Sequence, residues 1–134
     1  MPWLRVFAVW LAIIGAESLH GALRILLLAP VIGDFHARQI GVVTGAVIVF
    51  LVTWLLIRWL RVDSTRVLLA IGGLWVVLTV TFEVCLGRLL GASWSRILSD
   101  YDLPHGGLMG LGLLAMLVTP LIATRLRGEV GSVR

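Results

Sequence analysis

The chain has 134 residues, 60% of them hydrophobic and 13% charged, with a mean hydropathy of +1.06. A soluble domain carries roughly 25% charged residues and has no core large enough for this much apolar side chain, so water is not its solvent. The net charge of +4 rests on eleven arginines and no lysine; these stand at the ends of apolar runs rather than on a solvated basic face, which excludes nucleic acid as a partner.

Four membrane spans follow in chain order. Eighteen residues separate Arg5 from Arg24, and only Glu17 and His20 among them are ionisable. That is enough for a first span, since about twenty mostly apolar residues cross a bilayer. Arg5 followed by an apolar run to Ala16 imitates a signal peptide, but Glu17, Ser18 and His20 continue the same helical stretch and three more spans come after it, so the reading is an uncleaved helix. Gln39 to Ile57, nineteen residues without an ionisable side chain, form the second span. The third runs from about Val67 to Leu90, interrupted by Glu83 and Arg88. The fourth covers Gly106 to Thr124, with Pro120 placed to kink it. Between the last two, Trp94, Ile97, Leu98 and Tyr101 keep helical spacing after Ser93, a suitable N-cap, which predicts a short helix lying on the membrane surface.

Orientation follows from the arginines beside the spans, because basic residues are retained on the cytoplasmic side. With both termini and the middle loop inside, Arg5, Arg58, Arg61, Arg66, Arg125, Arg127 and Arg134 are cytoplasmic, and Arg24, Arg38, Arg88 and Arg96 are not. The bias favours both termini in the cytoplasm, in a plasma membrane of the bacterial inner-membrane type. Trp3, Trp54, Trp59 and Trp94 fall near the expected interfaces, as an aromatic belt requires.

Sliding the sequence over itself by 83 − 17 = 66 positions places Glu17 on Glu83, Gly21 on Gly87, Asp34 on Asp100 and Gly41 on Gly107 without a gap. The same register matches Leu51, Val52 and Thr53 to Leu117, Val118 and Thr119, and Leu60, Arg61 to Leu126, Arg127. The expected fold is therefore an all-α membrane protein, a single transmembrane domain over 1–134. Its four helices form two parallel-repeat hairpins, about 3–61 and 66–127, with a short polar tail 128–134. Each copy holds two spans, so both enter the membrane in one direction and the pseudo-two-fold axis lies along the membrane normal. Glu17 and Glu83 should then face each other at equal depth in a four-helix bundle.

Glu17, His20, Gly21 and Arg24 follow the i, i+3, i+4, i+7 spacing of one helical face. Val6 to Glu17 spans roughly 16 Å at the helical rise, which puts the carboxylate beyond the midplane, in the outer leaflet. Such a group must be paired, hydrated or protonated, and Arg24 and Arg88 are the expected partners of Glu17 and Glu83. The outer connections, Ala29 to Arg38 and Gly91 to Pro104, each carry an aspartate followed by an aromatic residue. With His36, His105 and Asp102, and with Gln39 opposite His105 in the repeat, Asp34 and Asp100 are expected to form a polar vestibule. The candidate residues for binding a substrate or ion are thus Glu17, His20, Arg24, Glu83, Arg88, Asp34, Asp100, His105 and Gln39. No spacing of the H-E-x-x-H kind is present, and no metal or other cofactor is assigned. Cys85 reads as a small packing residue. Gly21, Gly41, Gly45, Gly72, Gly73, Gly87, Gly107 and Gly110 read as positions of close helix packing.

An intramembrane carboxylate defaults to function. The leading expectation is a transporter or channel component handling a small solute, ion or proton. One alternative is a membrane-embedded enzyme acting on a lipid or quinone-like substrate; another is an accessory or scaffold subunit. Partners are the bilayer itself and a second copy or another membrane protein. Ala16, Glu17 and Gly21 in a four-span chain resemble the first-helix glutamate region of the small multidrug-resistance transporters. The likeness covers only these residues, and that family carries one such glutamate where this chain has two, so no family is assigned.

Overall fold

The computed structural model describes the backbone of residues 3–62 and 64–132 and the side chains of 3–62 and 64–127. It is all-helical, with no strand among the described residues, and four of its helices are long and apolar enough to cross a membrane. The first span is α1 (Trp3–Leu23), a π-helical turn (Arg24–Leu28) and α2 (Ala29–Ile32). It is followed by α3 (Asp34–Leu60), α4 (Thr65–Leu89), the short α5 (Trp94–Ser99), a 3-10 turn (Leu103–His105) and α6 (Met109–Ser132). The Arg134 side of the expected polar tail lies outside the described residues, while the backbone before it is helical to Ser132.

The first span is longer than the apolar run suggests. Its 30 residues make a rod of about 45 Å, against roughly 30 Å of bilayer hydrocarbon. Arg24 does not end it. Pro30 lacks the N–H that an α-helix would donate to Leu26, and the chain accommodates this by widening one turn, with Ala29 N–H donating to Arg24 O across five residues. The expected outer loop Ala29 to Arg38 is accordingly absent. A single residue, Gly33, joins two helices at φ 90°, ψ 153°, a conformation open to glycine and costly for residues with a Cβ. Fewer surprises occur elsewhere. Ser93 caps α5, its hydroxyl accepting from Arg96 N–H at 3.1 Å, as its position predicted. The fourth span starts three residues later than expected, because Gly106 adopts φ 92° after the 3-10 turn, and α6 runs unbroken through the buried Pro120.

Side-chain contacts gather the first turn of α1, the last turn of α3, the start of α4 and the Arg125–Arg127 stretch of α6 at one end of the bundle, here the proximal end. Arg5 donates to Trp59 O at 2.9 Å and lies over the Trp59 ring. Arg58 donates to Arg127 O at 3.2 Å, Arg127 covers Trp54, and Arg125 reaches Thr65 Oγ1 at 3.4 Å. Gly33 and α5 mark the opposite, distal end.

Helix α3 lies at the centre. Its ridge Ala37, Gly41, Gly45, Val49, Thr53 and Ile57, one residue every four, is wholly buried against α1 on one side and α6 on the other. Helix α4 packs on α6, whereas α1 and α4 meet only sparsely. Where they do meet, two tryptophans tie them together: Trp10 Nε1–H donates to Thr79 Oγ1 at 3.1 Å, and Trp75 Nε1–H donates to Val6 O at 3.2 Å. The Thr79 hydroxyl in turn donates a hydrogen bond to Met116 Sδ at 3.4 Å, bringing α6 into the same knot. Val6, Val9, Ile13, Leu68, Ile71 and Trp75 fill the core around it.

Of the glycines read as packing positions, Gly72 has the tightest surroundings, since a Cβ there would strike the Leu117 carbonyl of α6. Gly107 lies against the Ser99 and Asp100 backbone, and Gly87 against Ile97. Gly21 and Gly110 differ: a Cβ at either would meet nothing within 4 Å. Gly72→Ala is therefore expected to cost about 3 kcal/mol and to lower the melting temperature of the detergent-purified protein markedly, whereas Gly21→Ala should leave it unchanged. Equal melting temperatures for the two variants would refute the α4–α6 packing described here.

Candidate functional site

Each interior stripe changes character along its helix. On α1 the stripe Val6, Trp10, Ile13 continues into Glu17, Gly21 and Arg24; on α4 the stripe Leu68, Ile71, Gly72, Trp75, Thr79 continues into Glu83 and Leu86. The proximal members are buried. Beyond Thr79 the burial lapses, so that Glu83 is exposed and Leu86, in line with Leu68 and Thr79, is 38% exposed. Glu17 and His20 retain 22% exposure. Gly21 lies eleven residues beyond Trp10, on nearly the same side of α1, yet faces empty space where Trp10 faces α4. Toward the distal end the facing stripes of α1 and α4 thus carry partly exposed polar groups that, among the described residues, no hydrogen bond or ion pair joins across the two helices, a polar cleft.

Helix α3 forms a wall of this cleft without adding charge to it. A Cβ at Gly45 would come within 2.8 Å of Glu17 Oε2, and one at Gly41 within 3.0 Å of Arg24 Cδ. These two glycines therefore clear the space in which the Glu17 and Arg24 side chains lie. His20 docks beside them, its Nε2 at 2.6 Å from Thr44 Oγ1. The Thr44 hydroxyl donates to Ile40 O at 3.1 Å, which leaves its oxygen to accept from His20 Nε2–H, while His20 Nδ1 lies 3.9 Å from Glu17 Oε2, beyond hydrogen-bond reach.

The expected pairing of glutamates with arginines is not formed. Among the described residues no ion pair within 4 Å joins Glu17 or Glu83 to any arginine. Glu17 Oε1 and Arg24 Nε are shielded from solvent and have no hydrogen-bond partner. Arg88 instead donates to Ala92 O at 3.2 Å and lies 4.8 Å above the Trp94 ring, which ties the end of α4 to α5. Local geometry decides this: Arg88 follows Glu83 by five positions and so leaves on a different side of α4. The charges of Glu17, Glu83 and Arg24 nonetheless lie close enough to bear on one another, with Arg24 felt by both glutamates.

At the distal end Asp34 and Asp100 converge on Arg38, which sequence reasoning did not single out. Arg38 Nε lies 3.0 Å from Asp34 Oδ2, and its Nη1 bonds Asp100 Oδ1. Arg96 Nη2 donates to the same Asp34 Oδ2 at 3.1 Å and to Oδ1 at 3.3 Å. Two aspartates and two arginines alternate in one chain of contacts, with Arg38 only 12% exposed. The i, i+4 spacing of Asp34 and Arg38 was the available signal. Gln39 Nε2 donates to Gly106 O at 2.7 Å, which is a structural tie. His105 pairs with Asp102 at 2.8 Å on the exposed surface, apart from this network, and His36 stacks edge-on against Phe35. A shallow recess of about 380 Å³, lined by Gln39, Ile40, Val43, Thr44 and Leu108, indents α3 and the start of α6. Among the described residues no group of His, Cys, Asp and Glu is disposed to hold a metal ion. Comparison with protein-family models, curated proteins and solved structures finds no match for the chain.

Tyr101, just beyond α5, links the two clusters. Burial pushes its phenol above the ordinary value near 10, and the charges of Glu83 and Asp100 push it the same way. It is therefore a neutral hydrogen-bond donor throughout the physiological range. The folded chain holds this proton above pH about 10, where an unfolded chain has lost it, so stability should fall as pH rises from the ordinary tyrosine value toward the raised one. Because Tyr101 is the sole tyrosine, the phenolate absorbance of the intact protein reports it alone. Its midpoint is expected above that of free tyrosine and should move down in Glu83→Gln; a midpoint at the free-tyrosine value would contradict this placement.

Proposed function

We propose that this chain is a small transport protein or channel component that passes a proton, ion or small solute through the Glu17, His20, Arg24 and Glu83 cluster. One observation carries the reading: a carboxylate oxygen of Glu17 and the Nε of Arg24 are shielded and unpartnered beside an exposed Glu83, at the point where the apolar stripes of two spans give way to a cleft. Charged groups kept inside a bundle for structure alone are ordinarily paired with an opposite charge, as Arg38 is with its two aspartates; among the described residues Arg24 has no carboxylate, and Glu17 no arginine, within 4 Å, which leaves both free to bind something that comes and goes.

In the same proposal the chain is a duplicated hairpin with a pseudo-two-fold axis along the membrane normal, inserted in a bacterial-type inner membrane with both termini in the cytoplasm. The matched positions support it, since Asp34 and Asp100 bind the same arginine and Glu17 and Glu83 flank the same cleft. The arginine-rich proximal end supports the orientation. The cleft then opens to the outer leaflet.

Proton exchange at Glu17 is faced by His20 and Arg24 from its own helix and by Glu83 from α4. The spans of α3 and α6 add no ionisable side chain between 39 and 57 or between 109 and 124, and Asp100 and Tyr101 bear on Glu83. In proteoliposomes loaded with a pH-sensitive dye, an acid step outside should produce an influx that falls roughly a hundredfold in the Glu17→Gln, Glu83→Gln double variant, with Arg58→Gln as a control near wild type. A folded double variant with undiminished pH-dependent flux would overturn the reading.

A further inference from the structure

We infer that the cleft between α1 and α4 is a lateral binding site for the headgroup of an amphiphile that carries both a primary ammonium and a phosphate, as an aminophospholipid does. The inference rests on the proposed role of the same cluster and assigns its ligand. Three properties of the cleft lead to it.

The first is shape. Helices α1 and α4 are fastened at the proximal end by the Trp10–Thr79 and Trp75–Val6 hydrogen bonds, and among the described residues no hydrogen bond or ion pair joins them above these. The opening therefore faces sideways, between two spans, where acyl chains lie. Its flanks are the apolar surfaces of Leu23 and Leu86, 48% and 38% exposed, so a ligand's hydrocarbon part remains in the bilayer while its head turns inward. The second property is room. Gly21 stands between Glu17 and Arg24 on the stripe, and nothing lies within 4 Å of the place its Cβ would take. Gly41 and Gly45 clear the opposite side of the same carboxylate and guanidinium.

The third property is charge. Among the described residues, two carboxylates without an arginine partner, Glu17 and Glu83, stand near one arginine without a carboxylate partner, Arg24. A simple cation would leave Arg24 unmatched, and a simple anion would be repelled by both glutamates. A headgroup bearing an N–H-rich ammonium for the carboxylates and a phosphate for the guanidinium answers both signs. The distal arginines do not compete for the phosphate, because Arg38 and Arg96 are engaged by Asp34 and Asp100.

The test measures lipid binding to the full-length, delipidated protein in detergent by native mass spectrometry, with short-chain phosphatidylethanolamine, phosphatidylcholine and phosphatidylglycerol as probes. Phosphatidylethanolamine should bind about tenfold more tightly than either of the others, because the choline ammonium has no N–H to donate and glycerol carries no cation. Glu83→Gln should abolish that preference, and Arg24→Gln should weaken all three lipids alike, since each carries the phosphate. Gly21→Leu, which fills the empty space without altering charge, should weaken binding of this lipid while the melting temperature holds. Soluble phosphoethanolamine, which has the same head without chains, should bind far more weakly; if it bound as tightly, the site would belong to a free solute and the lateral assignment would fail. Equal affinity for all three lipids would also overturn the inference. The transport reading is judged separately: glutamate-dependent flux without lipid preference leaves it standing, and lipid preference without such flux removes it.

Discussion

Two indole N–H groups determine how far apart the outer helices of this bundle stand. At membrane depth no water is available to satisfy a polar hydrogen, so Trp10 and Trp75 must find acceptors within the protein, and each finds one on the other helix of the α1–α4 pair. That exchange fixes the two spans together at the proximal end, within a core that also includes Ile13, Ile71 and Met116. Among the described residues no hydrogen bond or ion pair holds them farther along. The residues that follow on the same stripes are Glu17, Gly21 and Glu83, and none of them bridges the gap. The cleft is thus the consequence of a fastening at one end and its absence at the other.

The arginines separate into two kinds by what surrounds them. Arg5, Arg58 and Arg127 end on backbone carbonyls and tryptophan rings: Arg5 meets the Trp59 carbonyl in the last turn of α3 and covers its ring, Arg58 meets the Arg127 carbonyl, and Arg127 covers Trp54. Arg38 and Arg96 end on carboxylates that join the Gly33 turn to α5, and Arg88 ends on a carbonyl and the Trp94 ring. All of these hold elements together. Arg24 differs because it lies against Gly41 of α3, which offers no acceptor side chain, and close to His20 of its own span, whose ring already engages Thr44. In the proposed function its charge, with those of the two glutamates near it, is what a ligand meets.

Much of the architecture was legible because it depends on local pattern. Long stretches free of ionisable side chains mark the spans, Ser93 marks the start of α5, and the i, i+3, i+4, i+7 stripe from Glu17 to Arg24 marks the polar face of α1. The turn at Gly33 was not legible as such: Arg24 and Pro30 imitate the end of a span, and only the π-helical widening lets the helix pass both. The partners of Arg24 and Arg88 were also beyond sequence reasoning, since charge complementarity along a helix does not reveal that Trp94 and the Ala92 carbonyl lie nearer to Arg88 than Glu83 does. Tyr101, Thr44 and the Gly41–Gly45 wall meet the cluster from other helices, with no signal at short sequence separation. Arg38 alone carried a local sign, four residues after Asp34, that the vestibule reading passed over.

The cleft between α1 and α4 is the claim on which the site depends, and thiol accessibility along α4 addresses it most directly. In a Cys85→Ser background, single cysteines at Thr79, Glu83 and Leu86 are treated in intact membranes with a water-soluble, membrane-impermeant maleimide, with Val77 on the lipid-facing side as reference. Labelling should be absent at Thr79 and Val77 and should appear at Glu83 and Leu86, marking the level at which the stripe leaves the core. Protection at all four positions, or labelling of Val77 as fast as Glu83, would contradict a cleft between the two helices.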